Sequence, residues 1–140
     1  LKSNALEKIK YSYEKKKKAN LDKINNIFYK SLGNYYSRIK KYKIKQKWKI
    51  NFLIFDKIEL NKQAKINYHK SKVLKKYEID FPNKGQTYYL DVFLDLKLFN
   101  NLLLKKSSWN TALSGSFVLF KRKPNKFIPD IPFSLNFLII

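Results

Sequence analysis

The stretch Trp48-Lys49-Ile50-Asn51-Phe52-Leu53-Ile54-Phe55 decides how the chain folds. Trp48, Ile50, Phe52 and Ile54 recur at every second position, the period of a strand; before them the spacing is helical, although Tyr42, Ile44, Gln46 and Trp48 also fit alternation, so the helix end is open. The side chains between them, Lys49, Asn51, Leu53 and Phe55, are mixed. A strand is therefore expected with one fully apolar face and one half-buried face.

Toward the C-terminus, Tyr77, Ile79 and Phe81 alternate with Glu78 and Asp80 up to Pro82-Asn83-Lys84-Gly85-Gln86, a turn signal. A hairpin is the natural inference. Its return strand, Thr87 to Phe99, puts Tyr88, Leu90, Val92, Leu94, Leu96 and Leu98 on one face and Tyr89, Asp91, Phe93, Asp95 and Lys97 on the other. After a short apolar run comes a Ser/Asn/Thr-rich loop to Gly115, then a strand at Ser116 to Lys121. Prolines in Lys121 to Pro132 are expected to exclude both helix and central strand. Phe133 to Ile140 then reads as a closing strand. Residues 61 to 76 fit either a short basic helix or a solvated loop.

Toward the N-terminus the pattern is helical. Asn4 with Glu7 three residues later resembles a capping box, Leu6, Ile9 and Tyr13 follow at helical spacing, and Gly33 offers a stop. Asn20 reads as a second cap, opening the stripe Leu21, Ile24, Ile27, Phe28 and Leu32; a second helix is expected from Asn34 with Tyr35, Tyr36, Ile39 and Tyr42 on its apolar side. The fold class is α+β: basic N-terminal helices followed by a mostly antiparallel sheet of four or five strands. Residues 1–47 form the basic helical arm and 48–140 the β-rich body of one globular unit, as expected for 140 residues.

Charge divides the same way. The chain carries 29 Lys and 2 Arg against 10 acids, a formal +21. Residues 1–76 hold 22 Lys and Arg38 against five acids, a net of +18, and the remaining 64 residues a net of +3. Such self-repulsion opposes compaction unless a polyanion neutralises it, so the expected partner is nucleic acid or an anionic membrane surface. Lys, Asn, Ile, Phe and Tyr together supply 78 of the 140 residues, all from A/T-rich codons. The Lys-to-Arg imbalance therefore reflects codon pressure rather than preference for an ammonium. Leu1 in place of Met fits a processed start or a non-ATG codon.

Catalysis finds no support in the residues. His69 is the one histidine and lies in a basic stretch, where a solvated or RNA-facing side chain is the expected role. With no Cys and one His, the chain lacks the ligands for a zinc site, and its three separated glycines form no phosphate cradle. Asp91 and Asp95, on one face of a strand, stand roughly 13 Å apart, too far for a shared ion. No cofactor and no small-molecule substrate are expected, and no run of apolar residues is long enough for a transmembrane segment.

The positive signal is the interleaving of cations with aromatic residues. Lys15, Lys16, Lys17 and Lys18 are contiguous. Arg38, Lys40, Lys41, Lys43, Lys45, Lys47 and Lys49 surround Tyr42 and Trp48, and no acid occurs from Lys23 to Phe55. Ammonium groups at this density neutralise phosphates, while Tyr42 or Trp48 either stacks on an unpaired base or belongs to the core. Lys121, Arg122 and Lys123 form a weaker cluster, expected as a hairpin tip in a groove of folded RNA. Scarce Arg and the lack of any helix-turn-helix, zinc-finger or basic-zipper pattern argue for shape- and backbone-directed RNA binding.

In composition and architecture the chain resembles organelle-encoded ribosomal proteins, especially divergent mitochondrial ones: small, Lys-rich, AT-biased and Cys-free, with a basic helical extension on a compact β-rich body. The resemblance implies a structural constituent of a mitochondrial ribosome, binding ribosomal RNA through its Lys-rich arm and neighbouring ribosomal proteins through its neutral β-rich body. Two other readings are a soluble accessory subunit of a mitochondrial inner-membrane complex facing anionic lipid, and a viral nucleic-acid-packaging protein. Against the lipid reading, the turns from Glu14 to Asn20 carry no bulky apolar face.

Overall fold

The computed structural model describes residues 2–44, 46–63, 65–68, 70–114 and 118–140, with side chains described from residue 21 onward except at 113 and 114. The expected Asn4–Glu7 cap, the Lys15–Lys18 side chains, Lys45 and His69 thus lie outside what is described.

Helices and a four-stranded mixed sheet make up the chain, which is α+β. One long helix, α1 (Lys2–Ile39), comes first. Strands β1 (Lys47–Phe55), β2 (Val73–Phe81) and β3 (Thr87–Asp95) follow, then helices α2 (Leu96–Leu103) and α3 (Trp109–Ser114), and strand β4 (Leu119–Lys123). A short helix α4 (Asp130–Ser134) and a 3-10 turn (Leu135–Phe137) end the chain.

The two expected N-terminal helices are one. Ile24, Phe28, Ser31, Tyr35 and Ile39 are buried at spacings of four, three, four and four, a single stripe running through Gly33 without interruption. Ser31 is the position that hides this continuity, because a small hydroxyl occupies an apolar stripe. Gly33 faces open space: a Cβ at this position would meet nothing within 4 Å, so no close approach demands glycine, and the helix passes through it. At about 1.5 Å per residue, the 38 residues of α1 span roughly 57 Å.

The strand order is β2-β1-β3-β4. β1 pairs antiparallel with β2 and parallel with β3, and β3 pairs antiparallel with β4. The expected hairpin between β2 and β3 does not form: β1 lies between them, and the 82–86 turn crosses its beginning. Asn83 holds that crossing, its Nδ2 donating to the carbonyls of Ile44 at 2.8 Å and Gln46 at 3.4 Å. Gly85 takes φ +98° there, in the left-handed region that suits glycine. The apolar face of β1 alternates as its sequence predicts: Trp48, Ile50, Phe52 and Ile54 are fully buried.

Three further segments differ from expectation. β3 ends at Asp95, whose Oδ1 accepts from the Leu98 backbone N–H at 2.7 Å and starts α2 in place of a longer strand. The Ser/Asn/Thr-rich stretch contains α3. The last segment is not a strand but α4 and the 3-10 turn. Pro132 is admitted because it sits in the first turn of α4, where backbone N–H groups have no intrahelical partner. The stretch expected as helix or loop is divided: residues 61–63, 65–68 and 70–72 are loop with one isolated bridge between Leu60 and Ile66, and 73–76 belong to β2.

One core joins α1 to the sheet. The Phe28 ring lies 4.3 Å from Tyr77, 6.0 Å from Phe99 and 6.2 Å from Phe52 by centroid, so α1 packs on the same face as α2. The C-terminal segment closes this layer through side-chain donors. Arg38 donates to the Phe137 and Ile139 carbonyls at 3.1 and 3.3 Å, and Trp109 Nε1 to the Leu138 carbonyl at 3.2 Å. No helix among the described residues is long and apolar enough to cross a membrane.

Candidate nucleic-acid interface

With the helices on one side, strand alternation sends Lys47, Lys49, Asn51, Leu53 and Phe55 of β1 to the opposite face. Registry then fixes their neighbours. Lys49 lies between Asp80 of β2 and Tyr89 of β3, and Tyr89 is opposite Lys123 of β4. Asn51 lies between Glu78 and Asp91, and Asp91 is opposite Lys121. Two lysine clusters more than seventy residues apart in sequence, Lys47 with Lys49 and Lys121 with Lys123, thus share one sheet face.

This face is mixed in sign. Lys49 Nζ meets Glu78 Oε1 at 3.1 Å, and that carboxylate raises the lysine's proton affinity, so Lys49 remains a cation. Asn51 Nδ2 donates to Asp91 Oδ1 at 3.1 Å. Asp91 and Asp95 therefore have separate tasks, the first bonded across the sheet and the second capping α2. Among the described residues, no group of three or more His, Cys, Asp or Glu is placed to hold a metal ion.

The remaining candidate residues divide by exposure. Lys40, Lys41 and Lys43, at and beyond the end of α1, are exposed. Tyr42 is 48% exposed and lies against Phe137 and Phe133, with centroids 5.1 and 6.1 Å away, which leaves part of its ring open. Trp48 has no such freedom. It is 0% exposed, stacked on Phe81 at 4.3 Å and bonded through Nε1 to the Tyr35 hydroxyl at 3.0 Å, so no base can reach it. Arg38 is committed to the carbonyls of the C-terminal segment.

Lys121, Arg122 and Lys123 are exposed but form part of edge strand β4 rather than a hairpin tip. Arg122 points to the helix side of the sheet and lies 5.0 Å from the Phe127 ring centroid. Sequence reasoning missed Tyr89, 43% exposed beside Lys49 and Lys123, and Lys76, opposite Leu53 on the same sheet face. The alternation in β3 places Tyr89 away from the core; its significance emerges only when β1 and β4 are known to flank it.

Exposed ammonium groups beside a partly open aromatic ring can neutralise phosphates and support an unpaired base without forming or breaking bonds. Compared with known proteins, the chain matches no family model, no curated protein and no solved structure.

Proposed function

We propose that this protein is a structural constituent of a mitochondrial ribosome that binds ribosomal RNA through its lysines and meets neighbouring ribosomal proteins through the rest of its surface. The observation carrying this reading is the juxtaposition of Lys47 and Lys49 with Lys121 and Lys123 on one sheet face, around the exposed Tyr89. Lys40, Lys41 and Lys43 extend the cationic surface beyond the end of α1. Phosphates displace counterions from these groups, giving affinity that depends on backbone shape and salt more than on base sequence. The acids Glu78, Asp80 and Asp91 moderate the field and leave positions for basic or polar groups of adjoining proteins.

The outward side of α1 favours RNA over lipid. Among its described side chains, Asp22, Lys23, Asn26, Lys30 and Ser37 are exposed along it, with Tyr29 as the large apolar exception. A helix lying on a membrane needs a continuous bulky apolar face. Co-sedimentation tests the reading: in mitochondrial lysate, the full chain should travel with ribosomal subunits and leave them after ribonuclease treatment. Recovery with a detergent-extracted membrane complex, insensitive to ribonuclease, refutes it.

A further inference from the structure

A cleft of about 360 Å³ opens between the β3–β4 edge and the segment leading into α4. Its size falls in the range of small-ligand pockets. The rings of Tyr88, Phe120, Phe127 and Phe133 line it, Arg122 and Lys126 stand among them, and no acid contributes to the lining. Phe127 is 57% and Phe133 48% exposed, so two of the most exposed large apolar side chains among the described residues meet at this cleft.

Arg122 gives the cleft its chemical direction. The chain uses Lys 29 times and Arg twice. Arg38 is engaged within the protein, its Nη1 donating to two carbonyls of the C-terminal segment. The Arg122 guanidinium lies over the Phe127 ring, 5.0 Å from its centroid, and among the described residues no hydrogen bond engages it. A guanidinium over an aromatic ring with no acceptor of its own has its forked donor available for a planar or tetrahedral anion, which it can bind through two parallel hydrogen bonds. An aromatic cleft with an unengaged guanidinium at its edge fits a flat ring joined to a phosphate.

We propose that this cleft takes one unpaired nucleotide of RNA, its base among Phe127, Phe133 and Tyr88 and its phosphate on Arg122 and Lys126. The proposal rests on the RNA-binding reading above and gives it a site that distinguishes looped RNA from duplex. In a duplex the base faces are stacked and cannot enter.

Fluorescence anisotropy with the full chain and two labelled RNAs of equal length, a hairpin with an unpaired loop and a blunt duplex, tests it. Wild type should prefer the hairpin. Phe127→Ala should weaken hairpin binding about tenfold, the scale of losing one base–aromatic stack, and leave duplex binding unchanged. Arg122→Lys, which keeps the charge but loses the fork, should weaken the hairpin selectively as well. Circular dichroism melts matching wild type would show that both variants fold. Equal wild-type binding of the two RNAs overturns the cleft proposal while RNA binding itself stands. A hairpin preference that survives both substitutions also overturns it and assigns the cleft to an apolar side chain of a neighbouring protein. Failure of wild type to bind either RNA overturns the RNA reading and the cleft proposal with it.

Discussion

Replacing Tyr35 by Phe removes one oxygen from the centre of a buried relay that ties three elements together. Trp48 Nε1 of β1 donates to the Tyr35 hydroxyl of α1 at 3.0 Å. That hydroxyl donates to Ser134 Oγ of α4 at 2.9 Å, and Ser134 donates to the Ile131 carbonyl at 2.6 Å. Each group both satisfies and is satisfied, and Trp48, Tyr35 and Ser134 are all fully buried. Without the oxygen, the indole N–H is left buried and unpaired, which costs about 1–3 kcal/mol. At roughly 4 °C per kcal/mol for a chain of this size, the melting temperature should fall by about 8 °C. Calorimetry of the full chain in enough salt to screen the lysines gives the number. Trp48→Phe in the same background should cost less than it does alone, since the orphaned donor is then gone. A Tyr35→Phe loss below about 0.5 kcal/mol, or additivity in the double variant, would refute the relay's importance.

The same hydroxyl supplies a pH signature. Burial pushes the Tyr35 hydroxyl up to about 12 from its ordinary 10.0. Below pH 10 it is neutral in folded and unfolded chains, so its contribution is fully present. Between pH 10 and 12 the unfolded chain releases the proton while the folded chain retains it, and stability falls as pH rises. The loss approaches about 2–3 kcal/mol once pH passes the folded value. Every other ionisable group is common to both proteins, so the difference between wild type and Tyr35→Phe isolates Tyr35. That difference should shrink from about pH 9 to about pH 12; a constant difference contradicts the linkage.

Other substitutions act on single elements. Gly33→Ala should stabilise the protein by about 0.5–1 kcal/mol, because the helix is regular there and the added methyl meets open space; a lower melting temperature would contradict this. Asp95→Ala should cost about 1 kcal/mol in chemical denaturation by removing the cap on the Leu98 N–H, with Asp95→Asn or Asp95→Ser recovering most of it. Replacing Lys40, Lys41, Lys43 and Lys45 together by Ala should weaken RNA association and reduce the magnitude of the slope of log K against log salt by about three; an unchanged slope removes this segment from the binding surface.

What could be read along the chain was whatever depends on near neighbours. The apolar face of β1, the buried faces of β2 and β3 and the 82–86 turn all follow from local spacing. The partner of each strand does not. Pro82 to Gln86 turns the chain equally well into an adjacent strand or across β1, and the selection is made by Asn83 meeting Ile44 and Gln46, nearly forty residues earlier. β1, with no acid and with Leu53 and Phe55 on its second face, is the strand best suited to the interior of the sheet. Leu96 and Leu98 continue a strand-like alternation, but Asp95 offers a cap and Phe99, Leu102 and Leu103 bury a helical face. At the C-terminus, the apolar run does not need a strand ladder because Asn34, Arg38 and Trp109 donate to its carbonyls. Those donors lie up to 105 residues away, beyond any local pattern.

The same long-range pairing changes what the lysines mean. Along the chain, cations gather in segments; in the folded protein, the relevant separation is between faces. Through its second half, α1 turns Ile24, Phe28, Tyr35 and Ile39 into the core while Lys23 and Lys30 stay outside. β1 does likewise, with Trp48 and Ile50 inside and Lys47 and Lys49 on the open sheet. Of the two aromatic residues most conspicuous beside the lysines in sequence, Tyr42 and Trp48, the second is therefore unable to touch RNA, because the alternation that places Lys47 and Lys49 on the open face buries it. Beyond Tyr42, aromatic contact with a base comes from positions that share the cations' face or stand at the sheet edge. Tyr89 meets the first condition and lies in no basic run; Phe127 meets the second, following the Lys121–Lys123 cluster and Lys126. A search for RNA contacts guided by lysine density alone would mutate Trp48, unfold the core and mistake lost stability for lost recognition.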